Sequence, residues 1–109
     1  MRTLFIHANG RANGLDFFLD KDDFAATQKD PSAVLDYTLD WSRRLVGDTI
    51  SSSVFTSSGV VIDSQSNTAT TTSVILSGDP NMVSDVVNTI TTTGGRTERR
   101  TLRVYGARS

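Results

Sequence analysis

Residues 30–42 have the sequence DPSAVLDYTLDWS, in which apolar and polar side chains alternate. In the second half of this stretch, Asp36, Thr38 and Asp40 separate aliphatic and aromatic residues. Because successive side chains of a β-strand point to opposite faces, the pattern predicts a strand with one buried and one solvated face. Pro31 precedes the alternation, where a proline can open a strand but would block its continuation from upstream.

Strand candidates of the same kind recur along the chain, with turn signals between them. We predict strands over residues 3–7, 34–41, 49–56, 60–62, 68–76, 82–92 and 97–105. We predict turns at residues 45–48, 57–59, 63–67, 77–81 and 94–95. Two consecutive glycines between alternating runs, as at 94–95, are a hairpin signal. Short strands at this spacing, without a convincing helix, favour an all-β fold.

Hydroxyl side chains are unusually frequent, with 13 serines and 15 threonines among 109 residues. They alternate with Val, Ile, Leu and Phe, so we interpret them as the outer faces of strands and not as a low-complexity stalk. Over residues 30–109 we predict an immunoglobulin-like antiparallel β-sandwich. The chain has no cysteine, so this domain would lack the disulfide of antibody domains and depend on packing alone.

The first 29 residues differ from the rest. The dipeptides Asn9-Gly10 and Asn13-Gly14 are turn signals, and the segment after them mixes apolar and acidic residues without a clear period. Its apolar residues are Leu15, Phe17, Phe18, Leu19 and Phe24. Two interpretations are open: an arm that packs on a partner, or a first strand and loop of the same domain. We favour an N-terminal arm or irregular lead-in over residues 1–29, followed by one domain over 30–109.

No catalytic, cofactor-binding or metal-binding residues are predicted. His7 is the only histidine, so one chain cannot form a histidine-based catalytic triad or a His-rich metal site. Asp20, Asp22 and Asp23 lack the glycine and glutamate that a calcium loop requires, and we interpret them as a solvated acidic loop. The single tryptophan, Trp41, is expected in the core or at its edge. These observations do not favour an enzyme.

The overall charge favours neither nucleic acid nor a membrane as a partner. The formal net charge is -1, which gives no general attraction to polyanions. No apolar run approaches the length that spans a bilayer, and residues 1–7 are too short and too soon interrupted for a signal peptide. The lack of cysteine is consistent with synthesis in a reducing cytoplasm.

Arginine is concentrated near the end of the chain. The last fourteen residues contain five arginines against one acidic residue, whereas residues 1–40 contain seven aspartates against four basic residues. The arginines are Arg96, Arg99, Arg100, Arg103 and Arg108. They indicate either a basic outer face that prevents mispairing of the last strand, or a docking surface for an acidic partner or another copy's acidic lead-in. Direct DNA binding is less favoured, because no aromatic platform accompanies them.

Four segments of the sequence resemble the small phage fibre–tail adaptor family. They are KDPSAVLDYTLDWS (29–42), GDTISSSVFT (47–56), SNTATTTSVILSG (66–78) and VVNTITTTGGRTERRTLRV (86–104). The resemblance extends over roughly residues 29–105 and carries no catalytic signature. Arg43-Arg44 departs from the aromatic and acidic turn expected at that place.

This resemblance implies an immunoglobulin-like structural protein of a tailed phage virion, made in the cytoplasm of the host bacterium. It would fix a fibre to the tail or neck, in several copies on a symmetric ring, and its partners would be tail, neck, fibre or capsid subunits. The alternatives are a capsid decoration or cement protein and, ranked lower, a host-surface carbohydrate-binding module. The apolar anchors predicted to bind a partner are Phe17, Phe18, Leu19 and Phe24. The charges predicted to set the register of that contact are Arg99, Arg100 and Arg103.

Overall fold

The computed structural model describes residues 2–6, 12–13, 18–19, 25–29, 33–78 and 83–106, and this part of the chain is built almost entirely from strands. The strands are β1 Arg2–Ile6, β2 Ala12–Asn13, β3 Phe18–Leu19, β4 Ala25–Lys29, β5 Leu35–Asp40, β6 Ile50–Ser57, β7 Val61–Asn67, β8 Thr71–Ser77, β9 Val83–Thr92 and β10 Thr97–Gly106. A single helical turn, α1 Ser42–Leu45, follows β5. The prediction of an all-β fold is confirmed.

The strands form two five-stranded sheets. Sheet A has the order β2-β1-β5-β8-β7, and sheet B has the order β3-β4-β10-β9-β6. Most neighbours are antiparallel, but β1 runs parallel to β5 and β4 runs parallel to β10. The sheets are therefore mixed and not wholly antiparallel as predicted, because strands from the first 29 residues pair with strands far along the chain. The immunoglobulin-like topology itself stays a prediction.

One hydrophobic core receives side chains from both sheets. Its largest fully buried side chain is Trp41, directly after β5, which confirms the expected core position. Sheet A contributes Leu4, Ile6, Tyr37, Leu39, Val74 and Leu76, and sheet B contributes Ile50, Phe55, Val86, Ile90, Leu102 and Val104. Within β8, β9 and β10 the buried residues alternate with more exposed ones, as expected for strands that place one face in the core, whereas three consecutive residues of β5, Tyr37, Thr38 and Leu39, are buried.

A buried polar network joins the two sheets inside this core. The indole Nε1 of Trp41 donates to Asn88 Oδ1 at 3.1 Å and to Thr72 Oγ1 at 3.2 Å. The Thr72 hydroxyl donates to the same Asn88 oxygen at 2.8 Å, while Asn88 Nδ2 donates to Ser53 Oγ at 2.9 Å. Trp41 and Thr72 belong to the sheet A side and Asn88 and Ser53 to sheet B, so these hydrogen bonds fix one sheet against the other.

Described parts of the first 29 residues lie within the sheets. Leu4 and Ile6 of β1 are fully buried in the core, and β4 carries the buried Lys29, whose Nζ donates to the carbonyl of Gly78 at 2.7 Å. The division of the chain into residues 1–29 and 30–109 stays a prediction, and the stability of β1 variants bears on it.

Predicted and observed strand ends agree closely for β5, β6, β8, β9 and β10, which lie within three residues of their predicted bounds. The predicted hairpin at 94–95 is present: the Thr92 amide donates to Arg96 O at 2.8 Å, and Gly95 adopts a positive φ of 88°. The predicted turn at 63–67 is wrong, because these residues continue strand β7.

The region of the predicted turn at 45–48 begins inside helix α1. Ser42 starts the helix beside Asp40, whose Oδ1 accepts hydrogen bonds from the Ser42 amide and hydroxyl. Val46 and Gly47 then take positive φ angles of 42° and 80°, which ends the helix and turns the chain toward β6.

The two outermost long strands, β6 and β7, meet along one side of the molecule. The side chain of Gln65 on β7 reaches β6, where its Oε1 accepts the backbone amide of Phe55 at 2.9 Å. Strand β7 also contains a register shift between Ile62 and Ser64. The Gln65 side chain thus accepts a backbone N–H group of β6, which is an edge strand of sheet B and has no further strand beside it in the described part of the chain.

We predict that Leu4→Ala lowers the free energy of unfolding by about 2–5 kcal/mol, because it leaves a cavity between β1 and the core. The measurement is urea unfolding followed by tryptophan fluorescence, with Thr3→Ala, a partly exposed position on the same strand, as the control. Unchanged stability in Leu4→Ala would contradict a structural role for β1 and favour a separate arm.

We predict that Asn88→Ala destabilises the protein by about 2–4 kcal/mol, because the Trp41 and Thr72 donors lose a buried acceptor. The neighbouring Thr89 points away from the core, and Thr89→Ala is expected to cost less than about 1 kcal/mol. Chemical unfolding of both variants measures the difference. Equal losses for the two would show that the network does not hold the sheets together.

Candidate protein-docking surfaces

Strand β10 separates the arginines near the end of the chain onto two faces. Leu102 and Val104 point into the core, so the even-numbered Arg100 shares their side of the strand. The odd-numbered Arg99 and Arg103 lie on the opposite, outer face of sheet B. The structure therefore brings Arg99 and Arg103 to one surface and places Arg100 elsewhere.

On the inner side, β10 meets helix α1 in a cluster of charges that we call the arginine cluster: Arg44, Asp48, Arg96, Glu98 and Arg100. Arg44 holds the Glu98 carboxylate with two hydrogen bonds, from Nε at 3.1 Å and from an Nη at 3.3 Å. Arg96 contacts Asp48 at 3.3 Å and Glu98 at 3.8 Å, and donates to the carbonyl of Leu45 at 2.9 Å. These contacts tie α1 to the β9–β10 hairpin.

The Asp48 carboxylate organises this end of the hairpin. It accepts the backbone amides of Thr49 at 2.8 Å and Gly94 at 3.0 Å, in addition to Arg96. Gly94 lies so close that a Cβ atom there would stand 2.9 Å from Oδ2. The hydrogen bond from the Thr92 side chain, followed by that from the Thr49 amide, lowers the pKa of Asp48 from 3.8 to about 2.

Arg100 is the least compensated member of the arginine cluster. Its Nε is buried and has no acceptor among the described residues. Burial is the main cause that lowers the pKa of the Arg100 guanidinium, and the nearby positive charge of Arg44 adds to it, while Glu98 opposes both. The cluster therefore holds more positive charge than its own carboxylates balance.

The outer face of sheet B combines valines, of which Val54 and Val83 are exposed, with Arg99 and Arg103. We call the part formed by Val54, Val83, Val87 and Arg99 the valine face. Val54 and Val83 are 54% and 45% exposed. Thr89 pairs with Val54 on one side and with Arg99 on the other, so the three form a row across β6, β9 and β10. Arg99 is exposed and has no ion-pair partner in the described part of the chain.

Arg103 lies farther along the same face, in a different electrostatic setting. Its Nε donates to Asp85 Oδ1 on β9 at 3.0 Å. The Asp85 carboxylate offsets this arginine, which leaves Arg99 as the cation of the valine face that can attract an external carboxylate.

The outer face of sheet A is acidic, and we call it the acidic face: Asp36, Asp40, Asp63 and Ile75. Ile75 is 38% exposed and pairs with Asp36 on one side and Ser64 on the other. Asp63 accepts a hydrogen bond from the Ser77 hydroxyl at 3.0 Å. At one end of this face, the guanidinium of Arg43 lies 5.3 Å from the centre of the Phe5 ring.

The structure describes only part of the predicted apolar anchors. Phe18 and Leu19 form the two-residue strand β3, which pairs with Ala26 and Ala25 of β4. Phe17 and Phe24 lie outside the described residues. The role of these four residues in binding a partner stays a prediction, as does that of the three arginines.

Sequence reasoning missed the partners that anchor the arginines. Glu98 and Asp48 connect to Arg44 and Arg96 from segments about fifty residues away, which composition does not indicate. The sequence does indicate that Arg99 and Arg100 lie on opposite faces, because they are consecutive residues of a predicted strand.

The described residues contain no group of three or more His, Cys, Asp or Glu side chains that could hold a metal ion. Within the same ranges, no helix has the length and apolar character needed to cross a bilayer.

The described part of the chain is a small all-β fold whose sheet faces are charged and partly apolar. Comparison with known families specifies the class: residues 29–105 match the Gp77 family, described as podophage GP4 fiber-tail adaptor protein gp77. The match covers most of the chain, and the protein belongs to this family of phage fibre–tail adaptors. No curated protein matches the chain significantly.

Membership of the family confirms the resemblance seen in the sequence. The protein is a structural component of a tailed phage particle and binds other tail or fibre proteins.

We predict that Asp48 makes the stability of the protein depend on acid pH. Its pKa is lower in the folded chain than in the unfolded chain, so its contribution is complete above about pH 4 and is lost as the pH falls toward 2. Asp48→Asn should therefore flatten the stability profile between these values. Thermal unfolding of both proteins at stepped pH is the measurement, and superimposable profiles would contradict the assignment.

Proposed function

We propose that this chain fixes a fibre to the tail or neck of the phage as one of several copies on a symmetric ring. The observation that carries the proposal is the valine face, where Arg99 stands beside exposed valines without an internal partner, in a chain of the adaptor family. Apolar area supplies contact energy, and an uncompensated arginine selects partners that present a carboxylate.

The three arginines near the end of the chain contribute unequally to this contact. Arg99 meets the partner directly, since it is exposed on the valine face. Arg103 sets the register beside it through its pair with Asp85. Arg100, half-buried next to Arg44, keeps the adjoining end of β10 positive. Charges placed in this way orient a partner and speed its approach more than they add affinity.

Apolar anchors near the start of the chain form the second part of the proposed contact. They are Phe17, Phe18, Leu19 and Phe24. Large apolar side chains that insert into a neighbour's groove supply much of the binding energy at protein interfaces.

Repetition around a ring makes a weak contact sufficient. Once one copy is bound, the next contact of a connected partner forms at an effective concentration of about a millimolar or more, so modest affinities combine into firm attachment. An adaptor can therefore hold a fibre through several small surfaces, none of which needs the area of a permanent interface.

The test is the number of copies of the chain in purified particles, measured by quantitative mass spectrometry against the major capsid protein. An adaptor should be present at about six or twelve copies, as a tail ring requires, whereas a capsid decoration protein would reach hundreds. A count in the hundreds would contradict the proposal.

Particles assembled with Arg99 variants test the docking surface. Arg99→Glu should lower the copy number at least about tenfold, because a repulsive charge replaces the attractive one. Arg99→Lys, which keeps the positive charge at the same site, should retain most of it. Normal incorporation of a folded Arg99→Glu protein would show that the valine face takes no part in attachment to the particle.

A further inference from the structure

We propose that neighbouring copies of this chain bind one another directly, with the acidic face of one copy packed on the valine face of the next. The two faces lie on opposite sides of the molecule, since each is the outer surface of one of the two packed sheets. Each presents exposed apolar side chains beside charged ones: carboxylates predominate on the acidic face, with Arg43 at one end, whereas Arg99 and Arg103 outnumber the single carboxylate of Asp85 on the outer face of sheet B.

The acidic face offers a small apolar centre with carboxylates around it. Ile75 lies in the middle strand of the row formed by β5, β8 and β7, with Asp36 directly beside it on β5. Asp40 is on the same face of β5, four residues farther along, and Asp63 lies at the β7 edge. The same face also carries the hydroxyl groups of Ser73 and of the buried Thr38, and the exposed Val61.

The valine face offers the complementary pattern. Val54 and Val87 lie on β6 and β9, and Arg99 lies on β10 one strand away from Thr89. Because strands are about 4.8 Å apart and residues on one face repeat every 7 Å, an isoleucine beside an aspartate can meet a valine while the aspartate reaches the arginine.

The charges decide which faces can meet. Two acidic faces brought together would place carboxylates against carboxylates, and two valine faces would place Arg99 against Arg99. Like charges in contact are costly, so the isologous contacts are disfavoured and the contact between unlike faces is favoured. Such a heterologous contact leaves one free face of each kind and therefore runs from copy to copy in one direction.

The contact is expected to be weak for a single pair. Three strands and about six residues cover roughly 15 by 20 Å, or about 300 Å² on each copy, less than a standard interface buries. Closure into a ring would add the contacts of all copies together, which suits a protein that assembles on a tail.

The inference deepens the proposed function: it names the neighbouring copy as the partner that presents a carboxylate to the valine face, so this face is not also the contact with the fibre. It is tested on the free protein, whereas the proposed function is tested by incorporation into particles, so either can fail alone.

Two variants each block one face. Ile75→Arg places a cation on the acidic face and leaves the valine face intact; Val54→Arg blocks the valine face and leaves the acidic face intact. Both positions are exposed, so both proteins should fold, which thermal unfolding verifies. In sedimentation velocity at concentrations up to about a millimolar, the wild type should associate progressively and each variant should remain monomeric.

Mixing the variants provides the sharpest outcome. In the mixture, the intact valine face of Ile75→Arg can bind the intact acidic face of Val54→Arg. The blocked face of each variant carries an added arginine, and these two faces repel each other. An equimolar mixture should therefore form dimers and nothing larger. Asp36→Lys and Arg99→Glu extend the test: each should weaken association at least about tenfold alone, and together they should restore it. A wild type that stays monomeric, variants that associate like the wild type, or a mixture without dimers would each overturn the proposal.

Discussion

The hydrogen bonds among Trp41, Thr72 and Asn88 are the constraint on which the other features depend. They cross the core from sheet A to sheet B, and a polar group buried there must keep its partner or lose the energy of desolvation. A hydrophobic core alone would let two sheets slide or rotate over one another with little change in buried area. Because Trp41 and Thr72 both donate to the Asn88 side-chain oxygen, one relative position of the two sheets satisfies both hydrogen bonds. That position fixes where the outer face of β9, with Thr89 and its neighbours, lies relative to sheet A.

Much of the fold follows from alternation that the sequence displays. In β5 one residue in two is apolar, and in β8, β9 and β10 apolar residues mixed with threonine and serine mark strands with one buried face, so these strands are predicted to within three residues. Strand β7 was predicted only at its start, over residues 60–62, because it is exposed along most of its length and no alternation marks residues 63–67. The parallel pairs β1–β5 and β4–β10 could not be predicted, because the choice of a strand's neighbour depends on packing between distant segments.

The candidate surfaces were predictable to a lesser extent. The count of arginines pointed to β10, and the alternation of that strand separates Arg99 from Arg100 once its core residues are known. Composition could not show that Glu98 and Asp48 compensate Arg44 and Arg96 across the fold, which leaves Arg99 as the exposed cation. The acidic character of the opposite sheet was visible only as two aspartates four residues apart, Asp36 and Asp40, without an indication that they share a surface with Asp63 and Ile75.

The hydrogen bond from the Phe55 amide to Gln65 has a consequence for the proposed arrangement of several copies on a ring. In such a ring, copies at high local concentration would bring their sheet edges close together, and unprotected edges would join into continuous sheets and aggregate. The side-chain oxygen of Gln65 accepts a backbone N–H group of the β6 edge, and the register shift bends β7 beside it, so that edge is a poor template for an added strand. Contacts between copies in the proposed ring would therefore be made by side chains. Such contacts can break and form again until the copies are correctly placed.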